Sequence, residues 1–142
     1  MKKKCWLLLV SVCSFSLLWG QNKNQLPNSV RVGAFYYYPK DSKESYYDLR
    51  NDSMVEEINL GTRDTSIWRV TWRRDSLMEM RYVTGSAKLT AAQRAYRSAH
   101  RVVVRVDRVA PEYYTFSAGM DSVGGIGNTQ DTMWFKPKKG RN

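Results

Sequence analysis

Between Ile67 and Val83 apolar and polar residues change places at almost every step. Trp68, Val70 and Trp72 alternate with Arg69, Thr71 and Arg73; beyond Arg74-Asp75-Ser76, Met78, Met80 and Tyr82 alternate with Glu79 and Arg81. A period of two on both sides of a polar turn predicts a β-hairpin with one buried and one wet face. Burial of each large inner side chain contributes about 1.5–3 kcal/mol, so this hairpin is the expected nucleus of the core.

The same pattern, more weakly, organises the chain on either side. Arg31–Tyr38 reads as a first strand, with Val32, Ala34, Tyr36 and Tyr38 on one face and Gly33, Phe35 and Tyr37 on the other. Pro39-Lys40-Asp41-Ser42 is a turn. Ser45–Arg50 and Met54–Leu60 form a second hairpin around Asn51-Asp52-Ser53, with Ile58 and Leu60 expected inward. Residues 86–109 admit two readings. Thr90 with Gln93 fits a capping box and three alanines favour helix, while Val102–Val106 is β-branched with period two. A short helix at 90–99 followed by a strand at 101–108 is favoured, and one helix running to Pro111 is the alternative. Tyr113–Ala118 is a further strand, 119–131 a glycine-rich loop, and Thr132–Phe135 a last short strand. Seven or eight short strands with tight turns predict a mostly β chain. The fold class is an antiparallel meander closed as a small barrel or folded as a sandwich, with one short helix. Closure would remove exposed edges.

The beginning of the chain follows a different pattern. Lys2, Lys3 and Lys4 precede an apolar run from Cys5 to Leu18, which ends in Trp19-Gly20-Gln21. A basic start, a run too short to span a bilayer comfortably and a small residue before a polar stretch describe a secretory signal peptide over 1–20. Cleavage is expected after Gly20, with Ser16 second, and an uncleaved anchor is the alternative. The remaining organisation is a flexible leader at 21–30, a barrel or sandwich domain at 31–136 and a basic tail at 137–142. Loss of the signal would remove both cysteines, Cys5 and Cys13, and lower the formal charge from +10 to +7. The mature protein would then carry no disulfide and no thiol chemistry. It is expected to be periplasmic or secreted, and not membrane-spanning after cleavage.

Gly33-Ala34-Phe35, Leu49-Arg50, Glu56-Glu57, Trp72 through Asp75 to Met78, Val102–Val106 and Tyr114–Phe116 follow one another in an order with a precedent. The arrangement resembles small exported β-proteins of unknown function from Bacteroidota-type bacteria, for which a lipocalin-like fold is expected. Ser76 stands where that family would place a cysteine. The resemblance spans about residues 31–118 and brings no catalytic residues with it.

Candidate chemistry is sparse. His100 is the single histidine, which excludes a multi-histidine metal site within one chain. No Gly-x-Ser-x-Gly elbow accompanies it, so it is expected at a helix end facing solvent. Glu56, Glu57 and Glu79 could make a carboxylate pair, although outward charges are the default on alternating strands. Gly124-Gly125-Ile126-Gly127 lacks the lysine and the strand-to-helix context of a phosphate loop. The expectation is a protein that is not an enzyme, with no cofactor and no metal. It would bind a small apolar ligand in an interior lined by Trp68, Trp72, Tyr82, Tyr114 and Phe116. The alternative is an envelope structural or protein–protein module with a filled core. Arg94, Arg97, Arg101, Arg105 and Arg108, with Lys136, Lys138, Lys139 and Arg141 in the tail, form a candidate surface for acidic glycan or lipid, not nucleic acid; a merely solvated face is the plainer reading. Tyr36, Tyr37, Tyr38, Tyr46 and Tyr47 are either a sugar-stacking surface or cross-strand pairs. Ser53, Ser76, Ser122 and Thr132 each follow Asp and precede an apolar residue. That pattern resembles an O-glycosylation sequon of Bacteroidota-type exported proteins, and it equally suits strand starts after turns.

Overall fold

The computed structural model describes residues 27–121 and 129–140. Within them the chain forms a closed barrel of eight antiparallel strands in simple sequential order. The strands are β1 (Gly33–Tyr37), β2 (Tyr46–Arg50), β3 (Met54–Asn59), β4 (Thr65–Arg74), β5 (Leu77–Gly85), β6 (Arg101–Val109), β7 (Tyr113–Met120) and β8 (Thr129–Trp134). Two short helices accompany them, α1 (Asn28–Arg31) and α2 (Ala91–Ala99). The expected signal segment 1–20 and the Gly124–Gly127 motif lie outside the described residues.

The central hairpin forms as the alternation requires. Its register pairs Trp68 with Tyr82, Val70 with Met80 and Trp72 with Met78. Trp68, Val70, Met78 and Tyr82 are buried, with Trp72 and Met80 packed against them. Gly85 ends β5 because nothing larger fits: a Cβ there would lie 2.3 Å from the Thr65 carbonyl oxygen. In the next segment the chain is helix plus strand, and the expected capping box forms at the helix start. The Thr90 side chain accepts from the Gln93 backbone N–H at 3.2 Å, and the Gln93 side chain accepts from the Thr90 N–H at 2.9 Å. The helix stops at His100 and the β-branched run continues as β6.

A meander gives the barrel two unlike ends. The upper end carries the longer connections 38–45, 60–64 and 86–100, with the end of β7 at Met120 and the start of β8 at Thr129. At the lower end lie the tight turns 51–53, 75–76 and 110–112, the entry from α1 and the exit after β8. The barrel closes through Tyr36 opposite Trp134 and Tyr37 opposite Met133.

Several expectations change. Residues 28–30, read as leader, belong to α1, and Val30 is completely buried in the core. The first strand therefore begins at Gly33, whose φ of +141° turns the chain out of the helix; Val32 is exposed. Ile58 and Leu60 are absent from the core. The phase of β3 is set by Val55, fully buried, so Glu57 shares the inner face and Ile58 the outer. The described part of the 119–131 loop is shorter than expected, because β7 continues to Met120 and β8 starts at Thr129.

Candidate functional site

The lower half of the interior is filled. Val30, Phe35, Val55, Tyr114 and Phe135 pack there, with Phe35 edge-on to Tyr114 at 5.9 Å and tilted against Phe135 at 6.0 Å. Above this floor the barrel holds a cavity of about 400 Å³, within the range of small-molecule sites. It rises from Arg50 and Tyr114 to the rim at Gly119, Met120 and Thr129. Met78, Met80, Met120 and Met133 supply much of its wall, with Trp68, Tyr37 and Phe116 among the aromatic lining. Methionine walls adapt to differently shaped apolar guests.

Three of the five expected pocket residues, Trp68, Tyr114 and Phe116, line this cavity; Trp72 and Tyr82 do not. Trp72 lies low on β4, beneath the Arg31 guanidinium at 5.0 Å, because α1 covers that end of the barrel. Tyr82 packs edge-on to Trp68 at 5.5 Å and lies under Arg97 at 5.9 Å. Both support the wall from outside the cavity.

The polar side of the interior comes from residues that the sequence reading left outward or unassigned. On β2 the alternation puts Asp48 and Arg50 inside, and both are buried. The Arg50 guanidinium donates to the Val30 carbonyl at 3.1 Å and to the Tyr114 hydroxyl at 3.0 Å, and lies 3.5 Å from Asp48. Arg50 also stacks over Phe35 at 4.5 Å. Burial alone would lower its pKa; Tyr114 and Asp48 outweigh that and leave it raised. The Asp48 carboxyl is pushed up to about 6 by burial, against the pull of Arg50.

Glu57 faces Asp48 directly across the β2–β3 pair and lines the cavity. Burial first, then the Asp48 charge, push its carboxyl up to about 7, while the neighbouring Trp68 indole and Arg97 pull the other way. No ion pair reaches it among the described residues. The Trp68 Nε1–H, although adjacent, is buried without an acceptor in hydrogen-bonding geometry, as is Arg50 Nε. Asp131 is the fourth inward-facing charged residue, held by the Tyr37 hydroxyl at 3.3 Å and the Lys40 backbone N–H at 3.3 Å.

The remaining candidates lie apart from the cavity. Glu79 points outward to Arg73 at 3.1 Å and Arg101 at 3.2 Å, and Glu56 lies on the outer side of β3, so neither pairs with Glu57. His100 closes α2, half-buried, with Nδ1 3.4 Å from Asp121 and its ring 4.5 Å from Tyr96. The tyrosines make cross-strand pairs, Tyr36 with Tyr47 outside and Tyr37 with Tyr46 inside. Among the five arginines, Arg101 is bound to Glu79 and Asp121, Arg105 to Asp107, and Arg97 to the Tyr82 ring. Arg94 and Arg108 are exposed. In the tail, Lys138 covers the Trp134 ring at 4.6 Å; Lys136 and Lys139 are exposed, and Arg141 lies outside the described residues. Ser53 is exposed in its turn, whereas Ser76 and Thr132 are half-buried. Ser122 also falls outside the described residues. Compared with known proteins, the chain matches no family model, no curated protein and no solved structure.

Proposed function

We propose that this chain is an exported, non-enzymatic binding protein whose lipocalin-like barrel takes one small, largely apolar ligand. The cavity of about 400 Å³, walled by four methionines and several aromatics, carries the reading. A module acting only through its outer surface would gain stability from filling such a space, since cavities cost stability in proportion to their volume. The floor built by α1 and Phe135 supports a one-ended site entered from the upper rim. Export rests on the basic start and apolar run of residues 2–18.

The test is titration of the protein with decanol, read by tryptophan fluorescence and calorimetry. Saturable binding of one molecule per chain is expected, and its loss in Ala118→Trp, which fills the cavity from a small wall residue. No saturable binding, or undiminished binding in a folded Ala118→Trp, would return the protein to a surface-acting role.

A further inference from the structure

We propose that the barrel selects a cationic amphiphile, with an apolar body among the methionines and a protonated amine against Glu57. This rests on the ligand-binding reading of the cavity and names the chemical class it takes. The inward-facing charged residues already noted are three carboxyls, Asp48, Glu57 and Asp131, against one guanidinium, Arg50. That excess of acid sits inside a chain whose overall formal charge is +10. Arg50 is committed to Asp48, Tyr114 and the Val30 carbonyl. Asp131 is committed to Tyr37, Lys40 and the Thr132 backbone N–H. Among the described residues, Glu57 alone of these four lacks such a set.

Its position makes this costly. Like charges directly opposite each other on paired strands are destabilising, and Asp48 is the register partner of Glu57. A ligand ammonium would satisfy Glu57 and offset the repulsion in one contact. The wall suits it: Trp68, Tyr37 and Phe116 can add cation–π attraction to the burial of the apolar body. An anionic head would instead meet Glu57 and Asp48 and find the Arg50 guanidinium engaged.

The charged and titratable groups around Glu57 come from several elements. Asp48, Arg50 and Tyr46 lie on β2, Tyr37 on β1, Glu44 and Asp64 in the upper connections, and Arg97 on α2. The Arg97 charge acts on Glu57, yet its guanidinium lies over Tyr82 and makes no ion pair with Glu57. Because Glu57 must ionise to hold an ammonium, affinity should rise as pH passes upward through about 7.

The experiment compares decylamine, decanol and decanoate on the full chain at pH about 8 and about 5.5, on either side of the Glu57 titration. At the higher pH decylamine should bind about tenfold or more tightly than decanol, with decanoate weakest. The preference for amine should shrink at the lower pH. In Glu57→Gln amine and alcohol should bind alike, whereas Glu56→Gln, altered on the outer face, should keep the preference. Equal binding of amine and alcohol by the unmodified protein would overturn the inference and leave the apolar-ligand reading intact. So would a preference that survives Glu57→Gln. Tightest binding of decanoate would overturn it in favour of an acceptor head served by Arg50 Nε and Trp68 Nε1. Binding of none of the three would sink both readings.

Discussion

Asp48 and Glu57 give the protein an unusual dependence on pH. In both, the folded carboxyl titrates above its ordinary value, at about 6 and about 7. The folded state therefore holds more protons than the unfolded chain between about pH 4 and pH 7, and stability falls as pH rises through that window. Asp121 and Asp107 work in the opposite sense at lower pH. In Asp121 burial pushes the carboxyl up, but the hydrogen bonds from Arg101 and His100 and the Arg101 charge together outweigh it; the Ser117 and Arg105 hydrogen bonds with the Arg105 charge do the same for Asp107. Their contribution is present above the ordinary carboxylate range and is lost as pH falls below it. The expected result is a melting temperature higher near pH 5 than near pH 8. One pKa unit corresponds to about 1.4 kcal/mol, so Glu57→Gln should raise stability at pH 8 by about 1–3 kcal/mol and flatten the profile. A profile already flat from pH 5 to 8 would mean that these acids are not held in a poorly solvated interior.

At the scale of elements, α1 is a single helical turn that closes the lower end of the barrel. Val30 is fully buried there, and its carbonyl accepts from Arg50, so the turn both fills the floor and fixes the guanidinium. Val30→Asp should cost about 3 kcal/mol or more, because it buries a carboxylate in the apolar floor, where the nearby Arg50 guanidinium is already engaged by Asp48 and Tyr114. Val32→Asp, two residues on and exposed, should stay within about 0.5 kcal/mol. Denaturant melts of the two variants decide this, and equal effects would remove α1 from the core. The sequence announces little of this turn, since Pro27-Asn28-Ser29-Val30-Arg31 has one apolar residue and no periodicity. The β4–β5 hairpin is the opposite case. Its alternation runs through both strands, so the faces and the place of the turn were legible in the sequence, while the register irregularities at Ile67/Trp68 and Trp72/Arg74 were not. Likewise the β-branched, period-two run Val102–Val106 correctly separated β6 from α2. The polar half of the site was hidden for a specific reason. In Met54-Val55-Glu56-Glu57-Ile58-Asn59 the apolar residues do not alternate, so hydrophobicity placed Ile58 inward. The actual phase was set by Val55 packing on the floor. Asp48 and Arg50 offered the i, i+2 spacing of one strand face, but charged residues inside a barrel run against the default, and only their mutual pairing with Tyr114 makes them tolerable.

For the whole molecule, barrel closure sorts charge by side: acid in excess within, base in excess without. The outer surface has a row that no single segment of sequence contains. Arg69 lies opposite Arg81 on β4 and β5, and Arg81 lies opposite Arg101 on β5 and β6. Three arginines in register across adjacent strands repel one another, at about 0.2–1 kcal/mol per directly opposed pair. Glu79 and Asp121 relieve Arg101 through contacts at 3.0–3.2 Å. Arg69 and Arg81 are exposed with no such ion pair among the described residues. Beside the α2–β6 arginines, this row is a second cationic stretch on the outer face of the barrel. Reading this row as the anionic contact predicts two opposite effects of one change. Arg81→Glu should raise stability by about 0.5 kcal/mol, since it replaces two repulsions by two attractions on an exposed face. It should also weaken retention on an immobilised acidic polysaccharide at low salt. The difference from the unmodified protein should fade as the Debye length shortens from about 10 Å at 0.1 M salt toward 3 Å at 1 M. A more stable variant with unchanged retention would mean that the row is only a solvated face, whatever else binds the polysaccharide.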